Sequence, residues 1–173
     1  MTAPGAPPDL VIRAARADDA GVILGFIQDL AAYEQLAHEV VADEAALRTT
    51  LFGARPAAEV LIAERAGAPV GFALFFPSYS TFLARPGLYL EDLFVRPAAR
   101  GAGVGSALLA ALARLAVDRG YGRFEWSVLD WNEPALRLYR ALGAVPMDAW
   151  TVQRLTGAPL TALAARWPHP VGG

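Results

Sequence analysis

The sequence contains no cysteine and no lysine, so its 15 basic residues are all arginine. The missing thiols exclude disulfide bonds, thiolate metal sites, iron–sulfur clusters and a cysteine nucleophile. The absence of lysine excludes a catalytic lysine that forms a Schiff base and the lysine of a phosphate-binding P-loop. The two histidines, His38 and His169, are far apart in the chain, which argues against a zinc site or a histidine-dependent triad, and we expect no metal. Any chemistry must therefore use carboxylates, hydroxyls, arginine and backbone groups.

Excess charge and long apolar runs are scarce as well. The net charge is −2 and there is no cationic tract, so nucleic acid is not an expected partner. No segment reaches the ~20 apolar residues of a membrane span, and the Pro-rich start lacks the apolar stretch of a signal peptide. We therefore predict a soluble cytoplasmic protein that has no membrane partner.

Size and composition predict one folded domain. The chain has 173 residues, of which 55% are hydrophobic, and this excludes disorder of the chain as a whole. Residues 1–8 and 168–173 are rich in Pro and Gly and are predicted to be loose tails. Between them, residues 9–167 are predicted to form a single domain.

The apolar periodicity predicts the order β-α-α-β-β-β-α-β-α-β. Leu88–Val95 is expected to be a strand, Gly103–Arg119 a helix and Phe124–Leu129 the next strand, so these three form a βαβ unit after a set of antiparallel strands. Val152–Leu155 is expected to be a last strand. The fold class is thus α/β, with a mixed sheet that carries helices on both faces.

A glycine-rich turn precedes the long helix. Three glycines next to a helix N-terminus expose successive backbone N–H groups and form an anion site suited to a pyrophosphate. The Walker motif is excluded because its lysine is missing, and the Rossmann motif is excluded by the glycine spacing. The alternative is a flexible turn before an Ala-rich helix. The turn consists of Arg100, Gly101, Ala102, Gly103, Val104, Gly105 and Ser106.

Two consecutive acids, Glu91 and Asp92, interrupt the apolar strand Leu88–Val95. Strict alternation along a strand predicts that they face opposite sides of the sheet. Buried unpaired carboxylates are costly, so either both lie at a wet opening of the sheet or one is a general base near the anion site.

The segment after the Phe124–Leu129 strand contains Asn132 and Tyr139, which are close to two helical turns apart and share roughly one helix face. A phenol there can donate a proton, or it can be an ordinary half-buried tyrosine.

Together these motifs resemble the GNAT superfamily of N-acetyltransferases over about residues 10–165. Ala32-Tyr33-Glu34, Tyr89-Leu90-Glu91-Asp92, the glycine turn, Trp131-Asn132 and Leu138-Tyr139 resemble the diamine (spermidine/spermine) N-acetyltransferase branch. Tyr79-Ser80-Thr81 and Val128–Asn132 are more similar to its thialysine N-acetyltransferase members. The polyamine enzymes carry an aspartate where this chain has Ser80.

The resemblance implies a role for each of these residues. Arg100–Ser106 would hold the pyrophosphate of acetyl-CoA, and Asn132 would contact the cofactor arm. Leu93, Phe94 and Val95 would line that arm with backbone groups. Glu91 would accept the proton of the amine, and Tyr139 would protonate the departing thiolate. The implied contacts with the acceptor are Tyr33, Glu34, Ser80, Thr81, Asp92 and Asp148.

The expected activity is transfer of an acetyl group from acetyl-CoA to a primary amine of a small lysine analogue, diamine or polyamine, by direct attack in a ternary complex. Acetylation of a protein amine and a non-catalytic CoA-binding regulatory module are the alternatives. The resemblance also implies a homodimer.

Overall fold

The computed structural model describes residues 7–167 and 169, so most of the two predicted tails, 1–8 and 168–173, lies outside the described residues. The chain forms two compact units that divide between Asn132 and Glu133. No helix formed by the described residues is long and apolar enough to cross a membrane.

The first unit is a five-stranded sheet with three helices. The strands follow the order β1-β2-β3-β4-β5; the first four pair antiparallel, and β5 pairs parallel to β4. The predicted mixed sheet is thereby confirmed. The elements are β1 (Leu10–Ala14), α1 (Ala20–Tyr33), α2 (Glu44–Phe52), β2 (Glu59–Arg65), β3 (Ala68–Ser80), β4 (Arg85–Val95), α3 (Val104–Asp118) and β5 (Phe124–Trp126).

Helices cover both faces of this sheet, as predicted. On one face, the apolar sides of α1 and α2 bury a cluster that includes Phe26 and Phe72, whose rings stack with centroids 5.3 Å apart. The other face belongs to α3, because a Cβ at Gly105 would lie 3.9 Å from side-chain atoms of both Leu93 and Val95. Asp43 caps α2 by accepting a hydrogen bond from the N–H of Ala46 at 2.7 Å, as expected for an aspartate at a helix start.

The second unit contains α4 (Glu133–Ala141) and α5 (Gly157–Ala164). The predicted strand Val152–Leu155 is wrong, since these residues adopt no regular structure. Among its described residues this unit forms no strand that could pair with them, and a short apolar run by itself does not distinguish a strand from other structure.

Other strand boundaries also differ from the prediction. β5 ends at Trp126 rather than Leu129 because its pairing with β4 stops there. The apolar run Val70–Phe76 predicts a shorter strand than the observed β3, which continues to Ser80 because its antiparallel register with β4 runs on to the pair Ser80 and Arg85. β4 accordingly begins at Arg85 rather than Leu88.

Candidate active site

The glycine turn leads directly into α3. Gly101 and Gly103 have φ values of +75° and +79°, a left-handed region that side chains disfavour, and Gly103 is the residue before the helix. The first N–H groups of a helix have no acceptor within it. Val104 is only 1% exposed and anchors this helix end in the core. The turn therefore presents backbone N–H groups and the positive end of α3 to an anion, and it fits a pyrophosphate.

The strands β4 and β5 separate beside this turn. They pair only from Leu88 opposite Phe124 to Leu90 opposite Trp126. β4 continues to Val95, still paired to β3 on its other edge. Among the described residues, no strand therefore pairs with residues 91–95 on the β5 side, and an extended ligand can approach the backbone of Leu93, Phe94 and Val95.

A β-bulge lies at the two acids. Leu74 pairs with Asp92 and Phe75 with Leu90, so no residue of β3 lies opposite Glu91. The extra residue breaks the alternation of side chains. The prediction that Glu91 and Asp92 face opposite sides of the sheet is therefore wrong, because it assumed a regular strand; both residues line one pocket.

That pocket has a volume of about 430 Å³ and lies between the end of α1, the loop that follows it and the bulge of β4. Part of its wall is apolar, with Ile27 and Leu30 from α1 and Val40 and Val41 from the loop among its lining residues. None of the described side chains that line it is basic, and four are carboxylates: Glu34, Glu39, Glu91 and Asp92.

The surroundings of two of these carboxylates, Asp92 and Glu34, raise their pKa values. Burial, then the negative charge of Glu91 and then that of Glu34, raise the pKa of Asp92 to about 6. Burial also raises the pKa of Glu34 above its ordinary value. Within residues 7–167 and 169, no three acidic or histidine side chains converge as metal ligands would. The carboxylates and apolar side chains that line the pocket together suit an organic cation.

Tyr33, at the end of α1, precedes the pocket residue Glu34 and contacts the segment after β5. Its hydroxyl lies 3.5 Å from Oδ1 of Asn132, and its ring centroid lies 5.9 Å from that of Trp131. The structure thus brings together Tyr33, for which the resemblance implied a contact with the acceptor, and Asn132, for which it implied a contact with acetyl-CoA.

Ser80 and Thr81 lie elsewhere, at the tip of the β3–β4 hairpin, and neither lines the pocket. Ser80 is 5% exposed, and its Oγ accepts a hydrogen bond from the N–H of Leu83 at 3.3 Å. Its hydroxyl therefore holds the turn of the hairpin.

Tyr139 and Asp148 belong to the second unit. Tyr139 lies on α4, which begins one residue after Asn132, and burial raises the pKa of its phenol. Asp148 lies in the irregular segment between α4 and α5.

Glu39 is a pocket residue that the sequence analysis missed. A signal existed, because Glu39 stands in an apolar loop, next to Val40 and Val41, soon after the Tyr33-Glu34 motif. Loops lack the regular spacing of helices and strands, so the sequence could not predict where the side chain of Glu39 lies.

Comparison with known proteins identifies the family. Residues 27–144 match the acetyltransferase (GNAT) family. The chain is 39% identical to thialysine N-epsilon-acetyltransferase from Bos taurus, a match that covers 91% of this chain and 98% of the bovine protein. It is 34% identical to L-ornithine N5-acetyltransferase from Arabidopsis thaliana, with 88% and 86% covered.

Among solved structures, an integron cassette protein from V. cholerae superposes with a TM-score of 0.77 at 24% identity, covering 91% of this chain and 99% of that one. At that identity the likeness supports the fold alone. The sequence relatives confirm the resemblance that the motifs indicated. The chain belongs to the GNAT acetyltransferase family and is an N-acetyltransferase.

Proposed function

We propose that this enzyme transfers the acetyl group of acetyl-CoA to the side-chain amine of a small, lysine-like amino acid, or to a related diamine. The observation that carries the proposal is the pocket lined by four carboxylates, two of which lie on β4, the strand that leads to the glycine turn. A primary amine has a pKa near ~10.4 and arrives as an ammonium. Carboxylates attract that cation, and one of them can take its proton.

The donor site in this proposal consists of the glycine turn and the free edge of β4. Backbone N–H groups of Arg100–Ser106 hold the pyrophosphate, and the backbone of Leu93, Phe94 and Val95, with Asn132, holds the rest of the cofactor arm. Acetyl-CoA supplies the acetyl group as a reactive thioester. A backbone N–H on this edge is suited to polarise the thioester carbonyl.

The acceptor site in this proposal is the acid pocket. Asp92, Glu34 and Glu39 attract the ammonium, and the apolar side chains of α1 and the loop contact its carbon chain. Glu91 accepts the proton that the amine must lose before it attacks, through a water molecule. The amine nitrogen then forms the new bond to the acetyl carbon as the carbon–sulfur bond breaks.

Tyr139 is the acid in this scheme. Its Oη–H donates a proton to the sulfur of the leaving thiolate. The burial that raises the pKa of Tyr139 keeps the phenol protonated at neutral pH, as this role requires. Asp148 remains a proposed acceptor contact from the second unit.

The names of the relatives support an amino-acid acceptor. Thialysine and L-ornithine, the acceptors named for the two curated relatives, are both α-amino acids that end in a primary amine. This common chemistry favours such an acceptor over spermidine, which has no carboxylate.

The decisive experiment is a panel of amines with a free-thiol readout of CoA release. Thialysine, ornithine, lysine, cadaverine and spermidine cover the small acceptors, and a lysine-rich peptide covers a protein amine. Thiol release that depends on a small amine supports the proposal. Release with the peptide alone favours protein acetylation, and CoA binding without any release favours a regulatory module.

We further infer that residues 9–167 act as one domain, since the family match of 27–144 crosses the boundary between the two units. We also expect the enzyme to form a homodimer and to be located in the cytoplasm. Light scattering that reports a monomer at micromolar concentration would contradict the dimer.

A further inference from the structure

The side chain of Arg100 makes contacts that a role in the anion site does not explain. Its Nε donates a hydrogen bond to the carbonyl oxygen of Val95 at 2.8 Å. Its guanidinium carbon lies 4.7 Å from the ring centroid of Tyr33 and 5.3 Å from that of Phe94. The cation is thus engaged by two aromatic rings and by the end of β4.

Tyr33, on the far side of this contact, belongs to the acceptor half of the site. It is the last residue of α1, and the next residue, Glu34, lines the acid pocket. Its ring also contacts Trp131, and its hydroxyl lies 3.5 Å from Asn132. The ring of Tyr33 therefore contacts Arg100 of the glycine turn and the segment after β5. Tyr33 is also bonded directly to the pocket residue Glu34.

We propose that Arg100 is a positioning residue, whose stack on Tyr33 sets the acid pocket at the correct distance from the donor site. The inference rests on the proposed function. Reaction requires the amine nitrogen and the acetyl carbon to approach to about 3–3.5 Å. The turn fixes one reactant and the pocket fixes the other, and the Arg100–Tyr33 contact directly joins the segments that carry them.

Arginine is specific for this role. Its planar guanidinium stacks on a ring while an in-plane N–H still donates a hydrogen bond. A lysine ammonium is a point charge that keeps the cation but cannot make both contacts. Arg100→Lys therefore separates positioning from charge: a residue that acts only as a counter-ion for phosphate tolerates the exchange.

The test compares Arg100→Lys, Tyr33→Leu and the double variant with the wild type. Amine-dependent thiol release gives kcat and the KM for thialysine, and calorimetric titration gives the affinity for CoA. Arg114→Lys, which makes the same exchange on α3 at an arginine that pairs with Asp118, is the matched control, and Tyr33→Phe is the conservative variant that keeps the ring. Thermal unfolding verifies that each variant folds, and Tyr33→Met replaces Tyr33→Leu if the latter does not.

We expect Arg100→Lys and Tyr33→Leu each to lower kcat by about ten- to a hundredfold, the loss that a misplacement of about 1 Å produces. CoA affinity stays within about threefold, and the double variant loses no more than the worse single variant, since both remove one contact. The Arg114→Lys control stays within about threefold of the wild type, and Tyr33→Phe retains more of kcat than Tyr33→Leu.

Three results would overturn the proposal while the wild type remains active: a normal kcat in Arg100→Lys, a loss of CoA affinity as large as the loss of kcat, or multiplied losses in the double variant. A wild type that releases no thiol with any amine rejects the proposed function itself and this role with it.

Discussion

Glu34 and Asp92 line the same pocket from two different elements, the end of α1 and the bulge of β4. Their proximity has an electrostatic cost: burial, the charge of Glu91 and the charge of Glu34, in that order, raise the pKa of Asp92 to about 6. A bound ammonium relieves this repulsion. The pocket is therefore better matched to a cationic ligand than to water.

Acceptor affinity is expected to rise with pH through about 6, since Asp92 becomes ionised over that range and then attracts the ammonium. The KM for thialysine, measured from about pH 5 to about pH 8, checks this. Asp92→Asn should remove that part of the profile. Asp18→Asn, at a fully exposed side chain, should leave it intact, and an unchanged profile in Asp92→Asn would contradict the assignment.

The same pKa predicts a gain in stability from Asp92→Asn. The folded-state pKa of about 6 exceeds the ordinary aspartate value of 3.8, so ionised Asp92 destabilises the fold. This cost is fully present above pH 6, shrinks as the pH falls, and is absent below the unfolded-state pKa. We expect Asn to raise the free energy of unfolding by about 1 to 2 kcal/mol at neutral pH. Urea unfolding should show this gain shrinking as the pH falls below 6, and a loss of stability at neutral pH would argue against it.

Gly101→Ala is expected to weaken CoA binding more than tenfold, because an added side chain stands where the turn approaches a pyrophosphate. Gly67→Ala is the matched control. Both glycines have similar positive φ values, +75° and +77°, and at neither does an added Cβ meet an atom within 4 Å. Both variants should therefore lose about 1 kcal/mol of stability, and calorimetric titration should find weaker CoA binding only in Gly101→Ala. Equal affinities in the two variants would remove the basis for the anion site.

Tyr139→Phe is expected to lower kcat by about 10² to 10⁴-fold, the usual contribution of a general acid. The affinity for CoA should change little, since the phenol donates its proton only as the thiolate leaves. Steady-state kinetics and calorimetry separate the two effects. Tyr121→Phe, after the end of α3, is the control, and wild-type kcat in Tyr139→Phe would exclude an essential acid at this position.

Local rules predicted the parts of the site that depend on local chemistry. The helix after the glycine turn was expected at Gly103–Arg119 and is observed at Val104–Asp118, because its glycine start and apolar period are both encoded within one segment. The same holds for α2: the sequence predicts a helix that Asp43 opens, with Leu47 and Leu51 on its apolar side, and Asp43 is the observed cap.

Features that depend on pairing between segments could not be predicted in this way. The bulge at Glu91 arises from the register of β4 against β3, and a single strand does not carry that information. The burial of Ser80 depends likewise on the hairpin continuing past Pro77. The contact between Arg100 and Tyr33 joins residues that only the fold brings together.

The burial of Ser80 in the β3–β4 hairpin bears on the predicted selectivity of the enzyme. Where the polyamine enzymes carry an aspartate, the neutral Ser80 hydroxyl predicts a preference for an acceptor with a carboxylate over a polyamine. In the structure, however, Oγ of Ser80 accepts a hydrogen bond from the N–H of Leu83 inside the hairpin. Selectivity for an amino acid thus remains a prediction that must be measured on the acceptors themselves.

The central claim is acetyl transfer from acetyl-CoA to the side-chain amine of a lysine-like amino acid, and kcat/KM for S-(2-aminoethyl)-L-cysteine against spermidine tests it most directly. Thiol release gives the rates, and NMR of the product locates the acetyl group. We predict release only with enzyme and amine together, acetylation at the side-chain nitrogen, and a preference for the amino acid of roughly ten- to a hundredfold. No amine-dependent release, or a preference for spermidine, would contradict the account.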